Sequence, residues 1–112
     1  MNLTTAPTAW ARIYMAGALA DAERMCREYC FNEGACVTVT PTNYIYSGGQ
    51  ESGFVVGFIN YPRFPATQEA ILSWASALAG MLADALHQRS WTVETPETTT
   101  WVTRALPFEV SA

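Results

Sequence analysis

The sequence predicts an α+β domain in which an antiparallel sheet is covered by helices on one face. Three observations carry this prediction. Ala18, Ala22, Cys26 and Tyr29 recur at helical spacing, as do Ile71, Trp74, Ala75, Leu78, Leu82 and Ala85. Between and after these stripes lie alternating stretches rich in β-branched and aromatic residues, punctuated by Gly and Pro. The expected order is helix, hairpin, helix, hairpin (αββαββ) in a single domain over residues 1–112, long enough to bury a core without disulfide or metal support.

Residues 1–7 read as a flexible polar start. From about Ala9 a helical region is expected, because Trp10, Ile13 and Tyr14 fall on one face ahead of the first stripe. Gly17 interrupts it, so two shorter helices are the alternative, and Gly34 is the expected left-handed stop. "CVTVTPTNYIY" reads as a strand with Pro41 marking a bulge or an edge. "SGGQESG" supplies a longer hairpin loop, and "GFVVGFINY" returns with Phe54, Val56 and Phe58 on one face and Val55, Ile59 and Tyr61 on the other. A sheet with helices on one side needs only one apolar face, so the second must meet a loop, a ligand or another subunit.

"YPRFPA" is a stiff connector, because Pro62 and Pro65 lack N–H groups and restrict their predecessors. Thr67 then caps the second helix, with Gln68 and Glu69 in its first turn. "WTVET" and "TTTWVTR" form the second hairpin around Pro96, and the apolar tail 105–112 (Leu106, Phe108, Val110) is expected to dock on this chain or a neighbour.

A net charge of -4 disfavours a general nucleic-acid binder, and the longest uninterrupted apolar runs fall short of a membrane span. With 50% apolar and only 14% charged residues, a homo-oligomer is expected. Cys26, Cys30 and Cys36 lack the paired spacing of a zinc site, and Cys26 and Cys30, one helical turn apart, read as small core hydrophobes. The odd number of cysteines and the lack of a leader segment point to the cytoplasm. His87, at the end of the second helix, suits a capping or dipole role, and Glu94 and Glu97 merely flank a turn. No metal, cofactor or catalytic constellation is expected, and the chain reads as a non-enzyme.

A recognition surface is easier to build. Tyr44, Tyr46, Asn60 and Tyr61 lie towards the ends of the first hairpin, with Arg63 directly after it, and Arg89, Trp91, Trp101 and Arg104 repeat that chemistry on the second. Aromatic rings stack on a base and the Arg fork binds a phosphate. All six basic residues are Arg. The competing role for these side chains is structural, with rings finishing the core and Arg heads staying in water.

"SGFVVGFINYP" followed by "QEAILSWASALAGMLADAL" resembles a small phage-protein family that includes the Thoeris anti-defence sponges. The resemblance rests on Gly53, Phe54, Val55, Val56 and Gly57 leading into the Ala-rich helix, and covers about a third of the chain. The chain departs from that family in lacking a Glu-Gly-Tyr near its end and in carrying a Trp-rich hairpin. The resemblance implies a non-catalytic phage oligomer that sequesters a nucleotide-derived immune signal in a pocket between subunits. The alternative from the residues is an acidic inhibitor of a host defence protein, anti-CRISPR-like, or a minor virion assembly protein, with Glu28, Glu33, Glu51 and Glu97 meeting a basic partner.

Overall fold

The structure is a computed structural model, and it describes residues 1–104; the docking expected of the tail lies outside the described residues. Its elements are β1 (Trp10–Ala16), α1 (Leu19–Glu33), β2 (Thr38–Tyr46), β3 (Gly49–Ile59), α2 (Gln68–Leu86), β4 (Ser90–Glu94) and β5 (Thr99–Thr103). The five strands form one antiparallel sheet in the order β2-β3-β1-β4-β5. The first four strands and two helices make the split βαβ, ferredoxin-like arrangement, with β5 added at the edge beyond β4.

The α+β class and one-sided helical cover are as the sequence predicts, but the element order gains a strand. The helix expected from Ala9 is corrected: Trp10–Ala16 is the central strand of the sheet. "WARIYMA" satisfies two periods at once. Trp10, Ile13 and Tyr14 fit a helix, whereas Ala11, Ile13 and Met15 alternate and are all but fully buried. Long-range pairing decides, because β1 has a strand bonded along each edge. Gly17, at φ 135°, ends the strand in a conformation that side-chain-bearing residues rarely adopt, and α1 begins two residues later.

α1 buries Ala22, Cys26 and Tyr29 and stops at Gly34, whose φ is 71° and whose N–H reaches the Cys30 carbonyl at 2.9 Å. In α2 the Thr67 Oγ1 accepts from Ala70 N at 3.1 Å, the expected cap. Ile71, Ala75, Leu78 and Leu82 are buried, joined by Ala79 and Ala83, while Ala85 faces outward. By length and composition α2 could cross a membrane, but its buried stripe packs on the sheet. Its stop is His87, the one side-chain-bearing residue at positive φ (54°) among those described. Its backbone N–H bonds the carbonyls of Ala83 and Asp84, so the expected cap is made by the main chain. His87→Gly is therefore expected to stabilise the domain by about 1 kcal/mol, read as a rise of several degrees in thermal midpoint.

The first hairpin turns more tightly than predicted: the loop is Ser47–Gly48, with Gly48 at φ 86°, and Gln50–Ser52 belong to β3. Pro41 sits on the sheet's edge strand, where a missing N–H is tolerated. Phe54, Val56 and Phe58 enter the core with Ile13, Met15, Trp91 and Val93, under the helices. The other face carries no helix.

Candidate active site on the open face of the sheet

The strand register lays out this face in rows. One row runs Thr40, Val55, Tyr14, Thr92, Trp101 from β2 to β5, and its neighbour runs Thr38, Gly57, Arg12, Glu94, Thr99. Residues directly opposite share a face, so alternation in five strands brings these side chains together. The floor is small and polar, and the larger groups stand up from it.

At its centre the Tyr14 hydroxyl donates to Glu94 Oε1 at 2.7 Å. The Arg12 guanidinium lies 3.5 Å from the same oxygen and 4.2 Å from the Trp10 ring centroid. The Glu94 carboxylate that accepts the Tyr14 proton, helped by burial, raises the phenol above its usual value of 10, so Tyr14 is a neutral donor. Tyr44 takes a different part. Its hydroxyl donates to Phe54 O at 2.5 Å and accepts from Met15 N at 3.1 Å, and so wedges between the paired strands β1 and β3. Burial raises its pKa as well. Its ring crosses Gly53, where an added Cβ would lie 2.8 Å from the Tyr44 ring and 2.2 Å from the Met15 carbonyl oxygen. Only glycine lets the phenol cross here.

Between these tyrosines and the start of β4 opens a cleft of about 490 Å³, lined by Tyr14, Tyr44, Glu51, Arg89, Ser90 and Thr92, with Met15, Ala16 and Gln88. That volume accommodates a nucleoside-sized ligand. Among the described residues no group of three His, Cys, Asp or Glu side chains is arranged to hold a metal ion.

The sequence-predicted surface is divided by the fold. Tyr44 and Arg89 line the cleft, and Trp101 stands beside it, 67% exposed. Tyr46 flanks it at the hairpin tip, donating to Glu51 Oε1 at 3.1 Å. Trp91 is a core residue, and Arg104 is committed to Asp84 at 2.5 Å and the Gln88 carbonyl at 3.3 Å, with its guanidinium 5.5 Å from the Trp91 ring centroid. Asn60, Tyr61 and Arg63 lie at the far end of β3. Asn60 ties Pro7 O (2.7 Å) to Ala66 N (2.8 Å), Tyr61 shares a small cavity with Cys36, and Arg63 rests 5.3 Å from the Phe64 ring centroid. Eleven residues of β3 separate the two ends, about 35 Å of extended chain, so one small ligand cannot bridge both groups.

Sequence reasoning missed Trp10, Arg12 and Tyr14 because it placed them on a helix. It also passed over Glu94, whose partner is on β1. The alternation of Trp10, Arg12 and Tyr14 between small and apolar residues was the available signal.

No family model matches the chain, and no curated protein is similar to it in sequence. Its fold is that of solved phage enzymes. A phage SAM lyase in complex with S-methyl-5'-thioadenosine aligns with a TM-score of 0.64 and 18% identity, over 93% of this chain and 95% of that one. A phage SAM lyase in the apo state aligns with a TM-score of 0.68 and 17% identity, over 88% and 90%. These matches overturn the expectations of a non-enzyme and of a sequestering sponge or protein inhibitor, since the fold shared along nearly the whole chain is that of a lyase.

Proposed function

We propose that this chain is an enzyme that releases S-methyl-5'-thioadenosine from S-adenosylmethionine at the open face of its sheet. The observation that carries this reading is the near-full-length likeness to a lyase holding that nucleoside. The aromatic and acidic cleft on the uncovered face supports it.

S-adenosylmethionine is a sulfonium. Releasing the thioadenosine breaks the bond between sulfur and Cγ of the aminobutyrate arm, and the electron pair leaves with sulfur as a neutral thioether. The electrons that replace it come from within the arm. Either its own carboxylate oxygen displaces sulfur at Cγ and closes a five-membered lactone, or a base removes a Cβ proton and leaves an alkene. In both routes the sulfonium charge disappears on the way to the transition state, so orientation and exclusion of water do most of the work.

The cleft supplies groups for this. Tyr44 and Trp101 offer ring faces to the adenine, as expected of them for a base. Glu51 in the cleft and Glu94 next to it, hydrogen-bonded to the cleft's Tyr14, are carboxylates for the arm's ammonium, and Arg89 meets its carboxylate. Tyr14 donates its proton to Glu94 and, with Arg12, holds that carboxylate beside the cleft. The substrate is a cation, which an acidic chain suits. In a single chain the cleft is open to water and Ile59 and Trp101 are more than half exposed on the same face. A second copy covering this face would dry the site, so the working form is a homo-oligomer.

The test is to incubate the purified chain with S-adenosylmethionine and follow the nucleoside products by liquid chromatography and mass spectrometry. Accumulation of S-methyl-5'-thioadenosine well above the spontaneous rate is expected. An unchanged substrate, with product only at the spontaneous rate, removes the reading.

A further inference from the structure

The junction of α1 and β2 carries chemistry that the open-face cleft does not use. Cys26 and Cys30 stand one turn apart on α1, and Cys36 lies two residues before β2. All three line an open cavity of about 420 Å³, together with Glu23, Arg27 and Val39. The helix stop creates this arrangement. With Gly34 in the left-handed region and bonded to the Cys30 carbonyl, the chain doubles back and carries Cys36 and Val37 onto the same cavity wall as Cys30. Cys36, the residue before Val37, is thereby brought against Cys30. The three thiols are free, and their exposure is graded: Cys36 exposed, Cys30 half-buried, Cys26 buried.

We propose that Cys30 and Cys36 form a modification site for a two-electron oxidant, hydrogen peroxide being the simplest, and close to an intramolecular disulfide. The exposed Cys36 gives up its thiol proton and attacks peroxide, the O–O bond breaks, Cys36 becomes a sulfenic acid, and the other oxygen leaves as hydroxide that takes up that proton to become water. The Cys30 sulfur then attacks the Cys36 sulfur and the S–S bond forms. The sulfenic oxygen leaves as a second water, taking the Cys30 proton. Two thiols are oxidised and one peroxide is reduced. Cys26 is the spectator, since burial pushes its thiol up to about 11 and keeps it from the oxidant. The product ties the C-terminal end of α1 to the approach of β2, on residues outside the open-face cleft.

The experiment treats the folded full chain with hydrogen peroxide, counts free thiols and maps the peptides by mass spectrometry. Two of the three thiols are expected to disappear, with a Cys30–Cys36 peptide two hydrogens lighter that dithiothreitol restores. Cys26→Ser should leave this intact, and Cys30→Ser or Cys36→Ser should each abolish it, with circular dichroism confirming that each variant is folded. Three surviving thiols, a bridge containing Cys26, a dimer linked through Cys36, or Cys36 carried on to sulfinic acid without a bridge would each overturn the proposal. The thiol count needs no S-adenosylmethionine, so its result is independent of the catalytic reading.

Discussion

Tyr14→Phe is expected to lower the rate of S-methyl-5'-thioadenosine release by about 100-fold, because the Glu94 carboxylate loses the hydroxyl that fixes its position and a small misplacement costs about that much. The ring and its place on β1 are kept, so far-UV circular dichroism should not change. Only the hydroxyl that meets Glu94 at 2.7 Å goes. Glu94→Gln retains the shape but loses the charge, and is expected to raise KM more than it lowers kcat, because an ammonium is held mainly in the ground state. The pH dependence separates the two. With its pKa held above 10, Tyr14 stays protonated through neutral and mildly alkaline pH, so its contribution should be flat there and fall as pH rises through the folded-state value. A Tyr14→Phe variant with wild-type kcat would place the chemistry elsewhere on the face.

Gly53→Ala is expected to remove about 4 kcal/mol or more of stability, a large part of the total for a domain of this size. The added Cβ would lie 2.2 Å from the Met15 carbonyl oxygen, 2.7 Å from the Ala16 Cα and 2.8 Å from the Tyr44 ring. Two of these neighbours are backbone of the central strand, and the third is pinned by its own hydrogen bonds to Phe54 and Met15. None can step aside cheaply. Gly57→Ala on the same face is the contrast, since its Cβ would meet only the hydroxyl of the exposed Thr38, at 2.6 Å, and a threonine can rotate. Urea unfolding of the two variants should differ by several kcal/mol. Equal losses would mean that the β1–β3 crossing is not the constraint.

Local signals were sufficient where one element answers to its own residues. Gly34 stops α1 and Thr67 starts α2 because a left-handed glycine and a capping hydroxyl act within one turn. Pro41 was legible as an edge for the same reason: its missing N–H excludes the middle of a sheet. The site was only half legible. Tyr44, Arg89 and Trp101 could be suspected from their chemistry, but Asn60 and Arg104 have the same chemistry and are occupied as structural ties. Side-chain type alone does not distinguish a ligand contact from a strut.

The α+β class, the two helices with their stops, the two hairpins and the inward face of β3 were each legible from period, capping or a missing N–H within a few residues. That Trp10–Ala16 is the middle strand follows only from long-range pairing, because its alternation and its helical spacing are equally good until β3 and β4 bond to its two edges. That choice also assembled the site. Tyr14 and Glu94 are 80 residues apart in the chain and meet only through the β1–β4 register, a pairing that no local pattern encodes.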